Sequence, residues 1–255
     1  MLILLPPSEG KTAAEQGHPF DPGSLAFPEL TDARLEVLSS LAKVSAHADA
    51  HAVLGVGASL AHEVQRNVEL LDAPAAPAHT VYSGVLYDAL GYRSMTPTQR
   101  RKADAAVVVI SALWGAVRFS DAIPAYRLSM SVDLPGTGKL TAFWRKQLAP
   151  VLDSHAGDSL VVDCRSSTYT AVWPGPVERT VAVNVFQERD GKRTVVSHFA
   201  KHTRGELARY LITRRGRQPR TPEQLLRAAA ERWTCELVPG KGKKGPQLNI
   251  VLADS

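Results

Sequence analysis

Cysteine, aromatic residues and long apolar runs are all scarce in this chain of 255 residues. Its two cysteines, Cys164 and Cys235, are too few for a disulfide framework, and we expect both to be reduced thiols. No apolar run approaches the roughly 18 residues of a membrane span, and the first residues lack the basic flank of an export signal. The sequence therefore predicts a cytoplasmic protein that does not associate with membranes.

The same scarcity excludes several function classes. Aromatic residues make up only 6% of the chain, so we expect no interleaved basic and aromatic platform for single-stranded nucleic acid. Two scattered cysteines give no reason to expect a thiol peroxidase, and Cys164 is interpreted as a small buried apolar residue. His198 and His202 lie four residues apart without a third ligand, so neither a metal site nor a cofactor is predicted.

Positive charge is concentrated in the carboxyl-terminal part of the chain. The net charge is +5, but residues 201–245 hold 12 Lys+Arg against 4 Asp+Glu, which leaves the remainder slightly acidic. This asymmetry is expected of a surface that faces an anionic partner. It is equally compatible with solvated helical faces in an arginine-rich composition.

The predicted elements indicate an α/β fold of the mixed α+β kind. A hydrophobic content of 44% suffices for a sizeable core, and no linker divides the chain, so a single domain over residues 1–255 is predicted. Helices and strands do not alternate strictly, which favours a mixed central sheet flanked by helices. Strands are expected over residues 2–5, 105–110, 159–162, 180–187, 192–197, 233–238 and 247–252, and helices over 32–50, 58–71, 82–90, 98–102, 140–152, 204–213 and 221–232.

The segment from Ile110 to Met130 carries residues that a core strand does not need. Arg118, Tyr126 and Arg127 follow a predicted buried strand, where open sheets present ligand-binding groups. An arginine keeps its charge and is costly to bury unpaired, so both arginines need anionic partners. Those partners are either internal carboxylates or a bound phosphate or carboxylate.

A second candidate site follows the first predicted strand. Ser8, Lys11 and Thr12 place two hydroxyls and an ammonium within five residues, around a glycine, which is the composition of a small anion cradle. The full phosphate-loop pattern is absent because its first glycine is missing. The alternative is a polar surface loop.

Polar residues also follow the predicted strand at 159–162. Asp163, Ser166, Ser167 and Tyr169 are suited either to lining a cleft or to supplying a general base. Asp163 is equally suited to pairing internally with Arg118 or Arg127.

Lys201 and Arg204 lie three residues apart at the predicted start of a helix. Positive side chains there oppose the helix dipole, and their presence indicates an anion bound at that end. The alternative is charge exposed in a loop.

Two further features suit a nucleic acid backbone. Gly55 and Gly57, preceded by an apolar residue and followed by Ala61, have the spacing of a helix-hairpin-helix, whose turn amides hold a DNA phosphate without reading sequence. Lys241, Lys243 and Lys244 form a basic loop. The alternatives are an ordinary glycine-broken turn and a solvated hairpin tip.

Six blocks of this sequence, in order, resemble those of the YaaA family, bacterial proteins tied to peroxide stress. The blocks cover nearly the whole chain, although His198 and His202 depart from the aromatic residue and lysine usual in the family. They are Met1-Leu-Ile-Leu-Leu-Pro-Pro-Ser8-Glu-Gly-Lys11-Thr12, Val81-Tyr82-Ser-Gly84-Val-Leu-Tyr87, Ser111-Ala-Leu-Trp-Gly-Ala-Val-Arg118 with Pro124-Ala-Tyr-Arg-Leu-Ser-Met130, Phe143-Trp144, Val162-Asp163-Cys-Arg-Ser-Ser167-Thr-Tyr169, and His198-Phe-Ala-Lys201-His-Thr-Arg204-Gly205.

Two functions are compatible with these features. The resemblance implies a peroxide-stress protein that binds double-stranded or junction DNA through its phosphate backbone without catalysis, and the residues that we predict for that contact are Gly55, Gly57, Lys241, Lys243 and Lys244. The residues themselves equally suit an enzyme that acts on a small phosphorylated or carboxylated metabolite, an anionic small molecule. The residues predicted to line its cleft are Ser8, Lys11, Thr12, Tyr82, Arg118, Tyr126, Arg127, Asp163, Ser166, Ser167, Tyr169, Lys201 and Arg204.

Overall fold

A mixed β-sheet runs through the protein and organises the other elements around it. The structure, a computed structural model, describes residues 1–189, 192–195 and 197–253. The strands in this part of the chain are β1 (Leu2–Leu5), β2 (Ala76–Pro77), β3 (Val107–Ser111), β4 (Gly115–Arg118), β5 (Ala122–Ile123), β6 (Asp133–Leu134), β7 (Gly138–Lys139), β8 (Val161–Asp163), β9 (Thr180–Arg189), β10 (Lys192–Val195), β11 (Thr234–Val238) and β12 (Gln247–Leu252).

The main sheet has parallel strands at its centre and antiparallel strands at its edges. Its order is β11-β12-β9-β8-β1-β3-β4, and β10 pairs with β9. β1, β3, β8, β9 and β12 are parallel, whereas β4 and β11 are antiparallel to their neighbours. β1 and β3 are buried along their whole length, because helices and loops cover both faces of a parallel sheet.

The helices pack around this sheet. They are α1 (Thr31–Ser45), α2 (Ala50–Leu54), α3 (Ala61–Arg66), α4 (Ala78–Val81), α5 (Val85–Leu90), α6 (Pro97–Ala106), α7 (Leu140–Ala156), α8 (Ser167–Thr170), α9 (Ser197–Thr213) and α10 (Pro222–Ala230). The predicted α/β class, with a mixed central sheet flanked by helices, is confirmed.

Two departures from the predicted elements lie in the first third of the chain, and a third is α9, which begins at Ser197 instead of residue 204. The helix expected over 32–50 ends at Ser45, and the helix expected over 58–71 is a short α-helix between two 3-10 turns. In α1, Leu35 is exposed whereas Arg34 is buried beside Leu38 and Leu41 in the core. Arg34 donates to the carbonyls of Ala26, Trp114 and Ala116, so a charged residue fills a core position that an apolar pattern does not reveal.

The order of the strands creates a crevice at the carboxyl ends of the central strands. The next strand of the main sheet after β1 is β3, which lies beside β1 on one side. β8 lies beside β1 on the other side, and the next strand after it, β9, lies farther out on that side. Adjacent parallel strands whose connections diverge leave an opening outside their carboxyl ends, where open sheets bind ligands. The segments after Leu5 and Asp163 flank this opening.

Candidate functional site

A cleft of about 870 Å³ lies at this switch point. Its walls come from the loop after β1, the turn after α2, the start of α5, residues 127–133, the segment after β8, and α9. Residues predicted from sequence to bind an anion or DNA meet here although they are far apart in the chain. These are Ser8, Gly55, Arg127, Ser166, Tyr169, Lys201 and Arg204.

The loop after β1 forms one wall and is held by its own polar groups. The Ser8 hydroxyl accepts a hydrogen bond from the amide of Ser83, 3.1 Å away. The Lys11 ammonium donates to the carbonyls of Ser8 (2.8 Å) and Glu9 (3.3 Å). Lys11 therefore stabilises the predicted cradle from within, and it is not among the residues that line the cleft.

Lys11 has unusual surroundings for a lysine. Its ammonium lies 4.2 Å from the centroid of the Tyr126 ring. Burial of the ammonium, together with the nearby charge of Arg127, lowers the pKa of Lys11 to about 7. Thr12 is exposed, lies outside the cleft lining, and contributes a backbone bond from its amide to the carbonyl of Val81.

Tyr82 and Tyr126 lie beside Lys11 and are almost completely buried. Their hydroxyls are 3.2 Å apart, and the Tyr126 hydroxyl is 2.7 Å from that of Ser111. Burial raises the pKa of both tyrosines, so both hydroxyls stay protonated. Neither tyrosine lines the cleft as predicted. Both rings instead pack beside the Lys11 ammonium.

Arg127 is held firmly at the cleft wall. Its backbone amide donates to Asn67 (2.8 Å), and its carbonyl accepts from the same side chain (2.9 Å). Its guanidinium donates to the carbonyl of Glu9 (3.2 Å) and lies 3.5 Å from a carboxylate oxygen of Glu63. The internal partner of Arg127 is thus Glu63, at the long end of the ion-pair range, and not Asp163.

Lys201 and Arg204 reach the cleft from α9. This helix begins at Ser197, so both residues lie beyond its first turn, and the predicted conflict with the helix dipole does not apply to them. Arg204 donates from two nitrogens to the carbonyl of Val183, at 3.0 and 2.7 Å. Lys201 is exposed and has no ion-pair partner among the residues that the structure describes.

Asp163 is occupied by an internal ion pair. Arg165 donates to both carboxylate oxygens of Asp163 at 2.8 Å, and Thr170 donates a third bond at 3.1 Å. Burial opposes the charged carboxylate, but the charge and hydrogen bonds of Arg165 together hold the pKa of Asp163 below its ordinary value. The predicted pairing of Asp163 with Arg118 or Arg127 is therefore wrong. Because both oxygens of Asp163 accept these structural hydrogen bonds, the carboxylate does not serve as a general base.

The segment after β8 contributes to two adjacent cavities. Ser166 and Tyr169 line the cleft, and burial raises the pKa of Tyr169 to about 12. Ser167 instead lines a second hollow of about 780 Å³ next to the cleft. Ser166 and Arg204 line both cavities.

Arg118 lies away from the cleft. It belongs to β4 and pairs with Val108 near the amino end of β3, because the chain reverses direction after Ser111. Its guanidinium lies over the ring of Phe27, 5.6 Å from the centroid. Because Arg118 and Arg127 are close in sequence, a shared site was expected, but the β3–β4 hairpin separates them.

The predicted helix-hairpin-helix is only partly compatible with the geometry. Gly55 adopts a left-handed conformation at the end of α2, and its amide and that of Val56 donate to carbonyls of the same helix. Those two amides are therefore not free to hold a phosphate. Gly55 lines the cleft, whereas Gly57 does not.

The lysine loop lies at the opposite end of the sheet. Lys241, Lys243 and Lys244 are exposed and precede β12, which runs parallel to β1 and β8 through β9. The amino end of β12, where the lysine loop lies, is therefore opposite to the carboxyl ends of β1 and β8, where the cleft lies. The turn with Gly55 and Gly57 and the lysine loop, which were both predicted to contact DNA, therefore do not share one flat surface.

Several residues at the site were not predicted. Glu9, Asp133 and Cys164 line the cleft, Glu63 and Asn67 hold Arg127, and Arg145 lines the second hollow. Glu9 and Cys164 lie within blocks that resemble the family, whereas Glu63, Asn67, Asp133 and Arg145 belong to no motif, so only the fold reveals them. Burial raises the pKa of Cys164 to about 12, in agreement with the prediction of a small buried residue.

Residues 1–189, 192–195 and 197–253 contain neither a metal-binding cluster nor a membrane-spanning helix. No group of three or more His, Cys, Asp or Glu side chains suited to a metal ion occurs there, and the side chain of His198 lies outside the described residues. No helix in the same ranges has the length and apolarity to cross a membrane.

The chain is similar to several curated proteins and matches one family model. A UPF0246 protein of Streptomyces coelicolor is 47% identical over 233 residues, which cover 89% of this chain and 88% of the relative. UPF0246 proteins of Corynebacterium efficiens (45% identical, 84% of this chain and 85% of the relative) and Corynebacterium glutamicum (42%, 83% and 84%) are also similar. Residues 1–236 match the family model described as peroxide stress protein YaaA, and the chain belongs to this family.

Proposed function

We propose that this protein acts in the response to peroxide by binding, in the cleft, a small ligand that carries a phosphate or carboxylate group. The observation that carries the proposal is the convergence of Arg127, Lys201 and Arg204, from two segments far apart in the chain, on one cavity at the switch point of the sheet. A pocket needs a few specifically placed charges, which is what this cleft has.

The charges of the cleft are incompletely neutralised by the protein itself. Lys201 has no carboxylate partner in the described part of the chain, and Arg204 donates only to a carbonyl. Arg127 has its carboxylate at 3.5 Å, which leaves donors of its guanidinium for a ligand. Because a guanidinium stays charged and is costly to desolvate without an anion, an anionic ligand stabilises this arrangement.

Part of the lining of the cleft is apolar. Val53, Leu54 and Leu128 contribute to it. A ligand that joins an anionic group to a short apolar body therefore matches the cleft better than a bare ion.

The first test measures binding of hexyl phosphate and hexanoate by isothermal titration calorimetry. We expect Arg127→Lys to abolish binding although charge is retained, because the planar fork of the guanidinium is lost. Arg118→Lys, outside the cleft, is the matched control and should bind like the wild type. Unchanged affinity in Arg127→Lys would contradict the proposal.

The link to peroxide is tested in cells. A bacterial strain that lacks its own family member is complemented with each variant and exposed to hydrogen peroxide. Arg118→Lys should restore survival and Arg127→Lys should not. Full protection by Arg127→Lys would separate the cleft from the peroxide response.

A second candidate function is backbone binding of double-stranded or junction DNA. The observation that favours it is the exposure of Lys241, Lys243 and Lys244, none of which has a carboxylate partner in the ranges that the structure describes. Such replaceable charges suit a phosphate backbone.

A further inference from the structure

The second hollow continues the cleft beyond the end of β8. β8 ends at Asp163, which pairs with Ala182, so β9 extends past it from Val183 onwards. The hollow of about 780 Å³ opens beside this stretch of β9. Ser166 and Arg204 line both cavities, which makes the two spaces neighbours across a shared pair of side chains.

The arginines around the hollow differ in how far the protein uses them. Arg165 is fully engaged, because it donates to both oxygens of Asp163 and to the carbonyls of Tyr169 and Trp173. Arg145 donates only from Nε, to the carbonyl of Ala171 at 2.9 Å. Both terminal nitrogens of Arg145 are therefore without a partner among the described residues.

The charge balance of the hollow is positive. The carboxylate of Asp163 is neutralised by Arg165, and neither Arg145 nor Arg204 has a carboxylate partner in the described residues. The hollow thus repeats the chemistry of the cleft, with unneutralised guanidinium groups at the edge of a cavity.

We propose that the cleft and the second hollow together bind one ligand with two separated anionic groups, one held by Arg127 and Lys201 and the other by Arg145. Arg204, which faces both cavities, lies between the two groups. The ligand class is a small bis-anionic molecule, a bisphosphate, a dicarboxylate or a phosphorylated carboxylate. This inference rests on the proposed function, because it extends the same site.

Linking two anionic groups converts the second contact into an intramolecular one. Its effective concentration depends on the length of the linker and is highest when that length matches the span of the two subsites. A series of linker lengths therefore reports whether both subsites are engaged at once.

The experiment compares α,ω-alkane bisphosphates of two to eight carbons with hexyl phosphate, and the matching dicarboxylates with hexanoate, by isothermal titration calorimetry. For one of the two chemistries we expect an optimum linker that binds at least about tenfold more tightly than the mono-anionic probe. Arg145→Ala should remove that advantage and leave the affinity for the mono-anionic probe unchanged. Arg179→Ala removes a half-buried arginine outside both cavities and is the matched control.

The outcomes separate the two proposals. Binding of the mono-anionic probe with no gain for any bis-anionic length, or a gain that survives in Arg145→Ala, would overturn the two-subsite inference while the anion-binding cleft stands. Absence of binding by every probe would overturn the cleft proposal and the inference together.

Discussion

Gly205 of α9 lies in direct contact with the backbone of Leu86 in α5. A Cβ at position 205 would overlap the carbonyl oxygen of Leu86 and come within 2.9 Å of the Ala89 Cβ. Only glycine permits the two helices to approach this closely. Their contact brings the start of α5 together with Lys201 and Arg204 in the lining of the cleft.

Gly205→Ala should therefore damage both stability and binding. Overpacking of this kind costs about 1–3 kcal/mol of unfolding free energy, which urea denaturation measures. We expect weaker binding of hexyl phosphate as well, because α9 must move. Gly57→Ala, where a Cβ meets only the Ser59 hydroxyl at 3.9 Å, is the control and should change neither. A Gly205→Ala protein as stable as the wild type would show that the contact is dispensable.

Asp163→Asn should be strongly destabilising. It leaves Arg165 buried without a counter-charge, and breaking a buried pair costs about 3–5 kcal/mol. Because the folded-state pKa of Asp163 is lowered, its contribution is complete above the ordinary carboxyl pKa and is lost as the pH falls through the folded value. Urea titrations at pH 7 and pH 3 measure both effects. Asp158→Asn, which breaks the pair between Arg179 and a fully exposed carboxylate, should have no measurable effect.

The stability of the protein should depend on Lys11 between neutral and alkaline pH. The pKa of Lys11 is lowered from 10.5 to about 7, so the unfolded chain binds a proton there that the folded protein does not. The unfolding free energy of the wild type should accordingly rise with pH in this window. The stability of Lys11→Met relative to the wild type should therefore be greatest below pH 7 and should fall towards pH 10.

The measurement is a series of urea denaturations at pH 6, 8 and 9.5. Lys43→Met, at an exposed position of α1, controls for general effects of losing a lysine. A stability difference between Lys11→Met and the wild type that stays constant with pH would contradict the burial of this ammonium.

Cys164 should resist oxidation in the folded protein. With a pKa of about 12, fewer than about one thiol in 10,000 is ionised near neutral pH, and the thiolate is the reactive form. Iodoacetamide labelling followed by mass spectrometry should modify Cys164 in urea but not in the native state. Rapid native labelling, or sulfenic acid formation at low peroxide, would assign it a redox role.

Binding to DNA should depend on the lysine loop if the second candidate function holds. Replacement of Lys243 and Lys244 by Gln should weaken binding to duplex and junction DNA and reduce the salt slope by roughly one phosphate contact per charge. Fluorescence anisotropy between about 50 and 200 mM salt measures this. Arg118→Gln, outside the loop, is the control. No binding at low salt would rule out this function.

The sequence by itself determined the elements whose signals are local. The strands at 2–5 and 247–252 were predicted at their observed bounds, since short runs of apolar residues between turn signals identify buried strands. The helix expected over 221–232 begins at Pro222 with Thr221 as its cap, because Thr221 followed by Pro222 is a local start signal. The strands expected over 180–187 and 192–197 are joined by Glu188-Arg-Asp-Gly191, a good turn sequence whose Asp190 and Gly191 lie outside the described residues.

The tertiary structure alone decided which charges share a site. Arg118 and Arg127 are close in sequence, and a hairpin carries them to different parts of the sheet, whereas Arg127 and Arg204 are far apart in sequence and line one cleft. Residue types state which groups need a counter-charge, but strand order and helix packing determine which groups meet, because those contacts join segments that no local pattern connects.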